Sequence, residues 1–450
     1  MFYLYRPLFG DEDEIEDWNY NGRWWYTLTH VCRRWRNVVL GSATYLGLSL
    51  LCTYGTPVAD MLELSPPLPL LVGYFKNNRE LTTEDAEGII LALKQHGRVR
   101  RIRLHNVIPI MQQLSLVMDE EYPILELLYI TRPTEDNSTI LRFPESLQAP
   151  HLRHLSLGGF ALPIGSRLLT AAVGLVTLHL VMVNTSTYFH PNTLIQWISL
   201  MPQLETLIIR FEFPNRDVEG QLTHTPIIAP ITLPNLLHFR FQGVNADLEA
   251  LVHRITAPRL EQLNINFFSE PTFFTPHLLQ FIAKAKNLRP GETALSLYDK
   301  FASAGVFPNG GTDVYSYSVG IVIKCCHLDL QISSMTQISN SLSQIFSAVE
   351  RLVLQHEVHS SSSEEHNAVD DTEWRELLRP FSKVKTIRIQ RGLVEDISRC
   401  LELEDGEPPL ELLPELNELE YFGSDDTGDA FSSFINVRRD AGRPVTLVRL

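Results

Sequence analysis

Large apolar residues recur along the chain in one short form, Pro-x-Φ-x-x-Φ-x-Φ, where Φ is a large apolar side chain. It reads YPILELLYI, APHLRHLSL, MPQLETLII, LPNLLHFRF, APRLEQLNI and LPELNELEY, with Pro123, Pro150, Pro202, Pro234, Pro258 and Pro414 each two residues before the first Φ. VRRIRL, LVTLHL, VERLVL and VKTIRI repeat the form without proline. The first Φ then falls at Val99, Leu125, Leu152, Leu175, Leu204, Leu236, Leu260, Val349, Val384 and Leu416. The closing Φ-x-Φ alternates with period two, which predicts a strand with one buried face. Proline cannot continue a helix and biases its predecessor towards extended backbone, so it marks the passage from helix to strand.

Between these strands the apolar period changes to that of a helix. NTLIQWISLMPQL places Leu194, Trp197, Ile198 and Met201 on one side, and DLEALVHRI, PHLLQFIAKA and SNSLSQIFSAVERL read alike. ALSLYD and GIVIKC are weaker copies that fill the long gap between Leu260 and Val349. Counting both, the repeat averages about 29 residues, at the upper end for leucine-rich repeats. The asparagine or cysteine expected three residues past the last Φ is replaced by Phe160, Val183, Glu212, Val244 and Phe268. The expected fold is α/β: a leucine-rich-repeat-like solenoid with parallel strands inside and helices outside. A doubly wound α/β sheet is the competing fold, and it does not require a near-constant period.

Ahead of the repeats, Leu28–Leu40 reads as one helix whose residues Leu28, Val31, Cys32, Trp35, Val38 and Val39 form a single buried apolar stripe. His30, Arg33, Arg34, Arg36 and Asn37 take the solvated face, with Gly41 as C-cap. THVCRRWRNVVLGSATYLGLSL, followed by MLELSPPLPLLVGYF, resembles the second half of the F-box-like module of large fungal F-box families. The resemblance spans residues 24–75, agrees with the later repeats in architecture, and extends to GRPVTL, which is similar to that group's closing strand. It implies an adaptor: a substrate-recognition subunit of a Skp-cullin-F-box type ubiquitin ligase, docking on a Skp-type linker, with the repeats holding a target protein. In that reading Leu28, Val31, Cys32, Trp35 and Val38 are the partner-binding helix. The family's opening Leu-Pro-x-Glu-type helix finds no counterpart before Trp24, so a shortened front module is expected. The layout is an acidic segment over 1–23, the F-box-like helical module and linker over 24–74, and the solenoid over 75–450.

Composition narrows the partners. The 450 residues are 44% hydrophobic and 20% charged, with 53 acids against 38 Lys and Arg and a net charge of −15. This is a globular composition, and its field disfavours nucleic acid and anionic membranes. Five cysteines lack framework spacing, the start has no basic region of a signal peptide, and no apolar run reaches the roughly 20 residues of a membrane span. A reduced, cytoplasmic or nuclear protein is expected. The sequons at Asn137 and Asn184 then read as chance matches.

Against that acidic background, the inner-face positions are basic. Two, four and six residues after each first Φ stand Arg101, Arg103, His105, His154, His179, Arg210, His238, Arg240, Arg351 and Arg388, with only Glu418 and Glu420 acidic. Arginine forks suit carboxylate or phosphate, so the concave face is a candidate site for an acidic or phosphorylated target. The competing explanation is that strand faces avoid Asp and Glu by propensity. The remaining constellations are weak. CCH at Cys325–His327 alternates faces on a strand, and HEVH at His356–His359 lacks zincin spacing, so no metal is expected. The run SSSSEEHNAVDDTEW from Ser360 reads as a solvated loop, with Ser362 and Ser363 open to phosphorylation. No catalytic residue, cofactor or enzyme activity is expected. A hydrolase on an α/β fold would instead need a nucleophile beside a histidine in a pocket.

Overall fold

The computed structural model describes residues 24–43, 45–74, 81–105, 110–131, 141–163, 165–182, 188–211, 229–268, 273–285, 287–288, 292–298, 301–307, 318–325, 327–357, 369–402, 411–422 and 430–450. The acidic segment 1–23, both sequons, Cys326, the HEVH histidine His359 and the serine-rich run 360–368 lie outside them. The chain divides into two compact units, residues 1–189 with 196–204, and residues 190–195 with 205–450.

The first unit carries β1 (Leu50–Cys52), β2 (Leu70–Tyr74), β3 (Val99–His105), β4 (Leu127–Thr131), β5 (Leu141–Arg142), β6 (His154–Gly158), β7 (Phe160–Ala161) and β8 (Thr177–Met182). Its main ladder is β1-β2-β3-β4-β6-β8, parallel throughout, while β5 and β7 pair separately. Strand order follows chain order, as stacked repeats require. The ladder starts at Leu50, ahead of residue 75, so the Pro-Leu segment already contributes a rung. Register aligns Val72, Ile102, Leu128, Leu155 and Leu178 on one buried line.

The second unit carries β9 (Thr206–Phe211), β10 (Ile231–Thr232), β11 (His238–Gly243), β12 (Ile255–Thr256), β13 (Gln262–Phe268), β14 (Glu292–Tyr298), β15 (Phe301–Phe307), β16 (Val319–Lys324), β17 (Arg351–Glu357), β18 (Thr386–Ile389), β19 (Glu418–Tyr421) and β20 (Thr446–Arg449). Leu207, Phe239, Leu263 and Val319 share a line, as do Leu352, Ile387, Leu419 and Leu447. The fold is α/β and leucine-rich-repeat-like, and the helices between strands supply the outer layer: Phe239 meets Phe281 of helix Pro276–Lys284 at 6.1 Å between ring centroids.

The recurrent proline has a definite role. Leu125 N–H donates to Tyr122 O, Leu152 to Ala149, Leu204 to Met201, Leu236 to Leu233, Leu260 to Ala257 and Leu416 to Leu413. Each is the closing bond of a β-turn with proline at its second position, where a fixed φ near −65° costs nothing. The turn swings the first Φ inward. All ten first-Φ residues are at most 2% exposed, and each fully buried leucine of this kind is worth about 1.5–3 kcal/mol.

One stretch departs from simple stacking. Strand order in the second unit is β9-β11-β13-β16-β15-β14-β17-β18-β19-β20. ALSLY and GIVIK do form strands, but β15 (FASAGVF) runs antiparallel between them, and β14 lies beside β17 rather than β13. These two copies are therefore arms of a three-stranded insert rather than successive rungs. Helix Leu328–Ser341 follows, and its buried Gln331 donates to Tyr298 O (2.8 Å) and Cys325 O (2.7 Å), tying together the ends of β14 and β16.

Candidate functional site

The front module is two helices, Trp24–Thr29 and Arg33–Gly41, instead of one. Cys32 is the N-cap of the second: its backbone is extended and its Sγ accepts from Trp35 N at 3.5 Å. Arg36 Nε reaches back to the carbonyl of Thr29, the last residue of the first helix, at 3.0 Å. Ser42, not Gly41, caps the C-terminus, with its N–H on Val38 O and Val39 O.

This geometry corrects the reading of the stripe as core. Val31 is 61% exposed, Trp35 49% and Val38 59%, and Cys32 is exposed, while Leu28 is half-buried and Val39 alone of the stripe is buried. Core packing falls to Trp25 instead, 4% exposed with its indole N–H on Ser49 O at 3.2 Å and its ring stacked 4.1 Å from Tyr26. Periodicity placed Trp35 and Val38 on one side of the second helix, but the chain turns between Thr29 and Arg33, so Leu28, Val31 and Cys32 lie off that helix, and among the described residues no layer covers Trp35 or Val38. Trp35 and Val38 stand one turn apart on the second helix, with exposed Val31 just ahead of its cap, and Arg33 and Arg34 are also exposed.

On the ladder of the first unit, the positions alternating with the buried line point away from the core. They form the rows Leu71-Arg101-Leu127-His154-Thr177 and Gly73-Arg103-Tyr129-Ser156-His179, with His105 beside Thr131 at the end. Arg103 lies 5.3 Å from the Tyr129 ring centroid, a cation–π contact. His105 Nδ1 is 2.7 Å from Thr131 Oγ1, His154 Nδ1 is 3.2 Å from Thr177 Oγ1, and Ser156 Oγ is 3.1 Å from His179 Nδ1. Burial lowers the pKa of Arg101, aided by neighbouring Arg100 and opposed by Glu126. Burial also lowers His105, with Arg103 adding to it, which keeps this imidazole neutral at pH 7. No carboxylate occupies these rows.

The second unit repeats the pattern over β9, β11 and β13. Its rows are Thr206-His238-Gln262, Ile208-Arg240-Asn264 and Arg210-Gln242-Asn266. Arg240 is exposed, and its pKa is lowered by burial first and by the nearby Arg210 cation second. At β17–β19 the pattern ends: Arg351 and Arg388 both reach Glu420, at 3.5 and 2.5 Å, and Thr386 donates to Glu418. These two arginines share the Glu420 carboxylate within the sheet. The structure thus places Arg101, Arg103, His105, His154 and His179 on one face of the first unit, and Arg210, His238 and Arg240 on one face of the second. Cys325 is buried, with Sγ 3.6 Å from His327 O, and no group of three or more metal-ligating side chains stands among the described residues.

Sequence reasoning missed one pair, His253 and His277 on neighbouring helices, whose Nδ1 atoms are 3.2 Å apart. The available signal was their separation of 24 residues, the same as the step from Leu236 to Leu260.

No helix among the described residues is long and apolar enough to cross a membrane. No family model matches the chain, and no curated protein matches it. Among solved structures it is similar to the yeast Rad7 and Elc1 complex, at 11% identity and TM-score 0.30 over 97% of this chain and 95% of that one. It is also similar to the leucine-rich repeat-containing protein LegL7 of Legionella pneumophila, at 10% identity and TM-score 0.28 over 89% and 99%. Neither likeness transfers a function.

Proposed function

We propose that the chain is a protein-recognition subunit whose repeat faces bind an acidic or phosphorylated segment of a target. The observation that carries this reading is the arrangement of Arg101, Arg103 and Tyr129 in the first unit, and of Arg210 and Arg240 in the second. They stand on sheet faces whose rows hold no carboxylate, in a chain of net charge −15. The half-buried guanidinium groups of Arg101, Arg103 and Arg210 bind a carboxylate or phosphate more strongly than solvated ones, because less water screens the pair. The test is anisotropy of a labelled acidic phosphoserine peptide on the full chain. Arg101→Glu, Arg103→Glu and Arg240→Glu together are expected to weaken capture at least tenfold, and unchanged affinity refutes the reading.

The exposed stripe Val31, Trp35 and Val38 supports the finer part, that the front helices dock the chain on a Skp-type linker of a cullin ubiquitin ligase. The resemblance of this segment to F-box-like modules motivates the partner. Co-purification with the linker that is abolished by Trp35→Ala supports the adaptor role. Retention of a captured target with no linker bound supports the second reading, a repeat scaffold without any ligase link. In both readings the chain is no enzyme and needs no cofactor, and covalent labelling by an activated-serine probe would overturn that.

A further inference from the structure

Within the second unit, the inserted strands β16, β15 and β14 put small side chains on the face that carries Arg240. Register continues the row Arg240-Asn264 into Gly320, Gly305 and Ala294, and the row above it into Val322, Ser303 and Ser296. Ala294, Ser303 and Val322 are half-buried, so this floor reaches solvent. The row beyond is built differently: Phe268, Lys324, Phe301 and Tyr298 stand side by side. Side chains stand roughly perpendicular to a sheet. A low floor, about 10 Å across from β16 to β14, therefore lies against a wall one side chain high.

The wall is aromatic and cationic. Tyr298 and Phe301 stack at 4.3 Å between ring centroids and 25° between planes, and Lys324 Nζ lies 5.4 Å from the Phe268 ring centroid. Stacking turns the two ring faces towards each other and leaves ring edges for the floor. Those edges are the positive rim of the π-system and favour the face of a further ring. An aliphatic side chain on the floor would gain no such contact. No carboxylate stands on these three rows from β11 to β14, and Arg240 is an exposed cation at one end of them. The charge therefore suits an acidic partner, and the insert suits a ring.

We propose that this floor seats an aromatic side chain of the same acidic or phosphorylated segment that Arg240 captures, an inference that rests on the reading of Arg240 as an anion-binding group. Gly305, at the middle of the floor, lies three strand spacings from Arg240, about 14 Å. Four residues of an extended segment crossing the strands span about 13–14 Å, and residues four apart point to the same side of it. The target therefore carries its aromatic residue four positions from its acidic or phosphorylated one. Small residues at Gly320, Gly305 and Ala294 are what make room for that ring between Asn264 and Val353.

The experiment is anisotropy on the full chain with three labelled phosphoserine peptides, carrying tryptophan, leucine or glycine four residues from the phosphoserine. The tryptophan peptide is expected to bind at least about fivefold tighter than the glycine peptide, with leucine between them. Ala294→Leu together with Ser303→Leu fills the floor and should cancel this preference, while affinity for the glycine peptide stays as in the wild type. Equal binding of the three peptides by the wild type overturns the proposal and leaves the reading of the cations intact, whereas binding of none overturns both. A preference that survives the filled floor, or a variant that weakens all three peptides alike, also overturns it.

Discussion

Trp25 and Trp35 stand ten residues apart in sequence, yet the structure gives them opposite roles. Fully burying a tryptophan removes about 150–250 Å² from water, worth roughly 4–6 kcal/mol at about 25 cal/mol per Å², before correction for a compact unfolded chain. Trp25 is 4% exposed, so Trp25→Ala is expected to cost about 3–5 kcal/mol. It also strands Ser49 O, which accepts the indole N–H, adding about 1 kcal/mol. Trp35 is 49% exposed; half its surface is already wet and its loss leaves no cavity, so about 1–2 kcal/mol is expected. Hydrogen exchange at Leu50–Cys52 reads the difference, because these amides follow Ser49 and are held by the first ladder. At tenfold per 1.4 kcal/mol, Trp25→Ala should accelerate exchange there about a thousandfold, and Trp35→Ala no more than about thirtyfold. Equal acceleration by the two variants would refute the assignment of Trp35 to an open face.

Four further outcomes are expected. Leu178→Ala, at a fully buried position beside Leu155, should cost about 2–5 kcal/mol in guanidinium unfolding, and a loss below about 1 kcal/mol contradicts the stacked leucine line. Gln331→Leu leaves Tyr298 O and Cys325 O without their shared donor and should cost about 2–4 kcal/mol, read by the same unfolding curve. Glu420→Gln uncouples Arg351 and Arg388; the half-exposed pairs limit the cost to about 1 kcal/mol, while binding of the acidic peptide should tighten, and weaker binding would contradict the charge argument. Burial raises the Cys52 thiol from 9.0 to about 11, opposed by nearby Arg98. The unfolded thiol therefore ionises first, and the stabilisation present below pH 9 is lost as pH rises towards 11. Cys52→Ala should flatten this fall by up to about 2–3 kcal/mol, and an unchanged slope would exclude Cys52 as its source.

The repeat frame was readable because its physics is local. A proline at a turn and an alternating Φ-x-Φ fix which way each strand faces, and the ten first-Φ residues are all buried. What stayed hidden depends on neighbours far along the chain. FASAGVF has small residues and no proline turn before it, so nothing announces β15, and only its partners β14 and β16 hold it in place. Helical periodicity grouped Val31, Trp35 and Val38, but it did not show that the chain turns before Arg33 or that, among the described residues, nothing packs on Trp35 and Val38. On the candidate face, residue type marked Arg351 and Arg388 as equal to Arg101 and Arg240. Their difference lies in Glu420, 69 and 32 residues away.

The reversed strand β15 also sets how this chain can change length. A rung in a run of like-directed strands can be duplicated or removed, since each copy offers its successor the same edge. Inside 292–324 that freedom is lost: removing β14 would set β15 against β17, and removing β16 would set β15 against β13, in each case opposite directions where the ladder was parallel. Growth and trimming of the second unit are thus confined to the segments on either side, and the insert must be inherited whole.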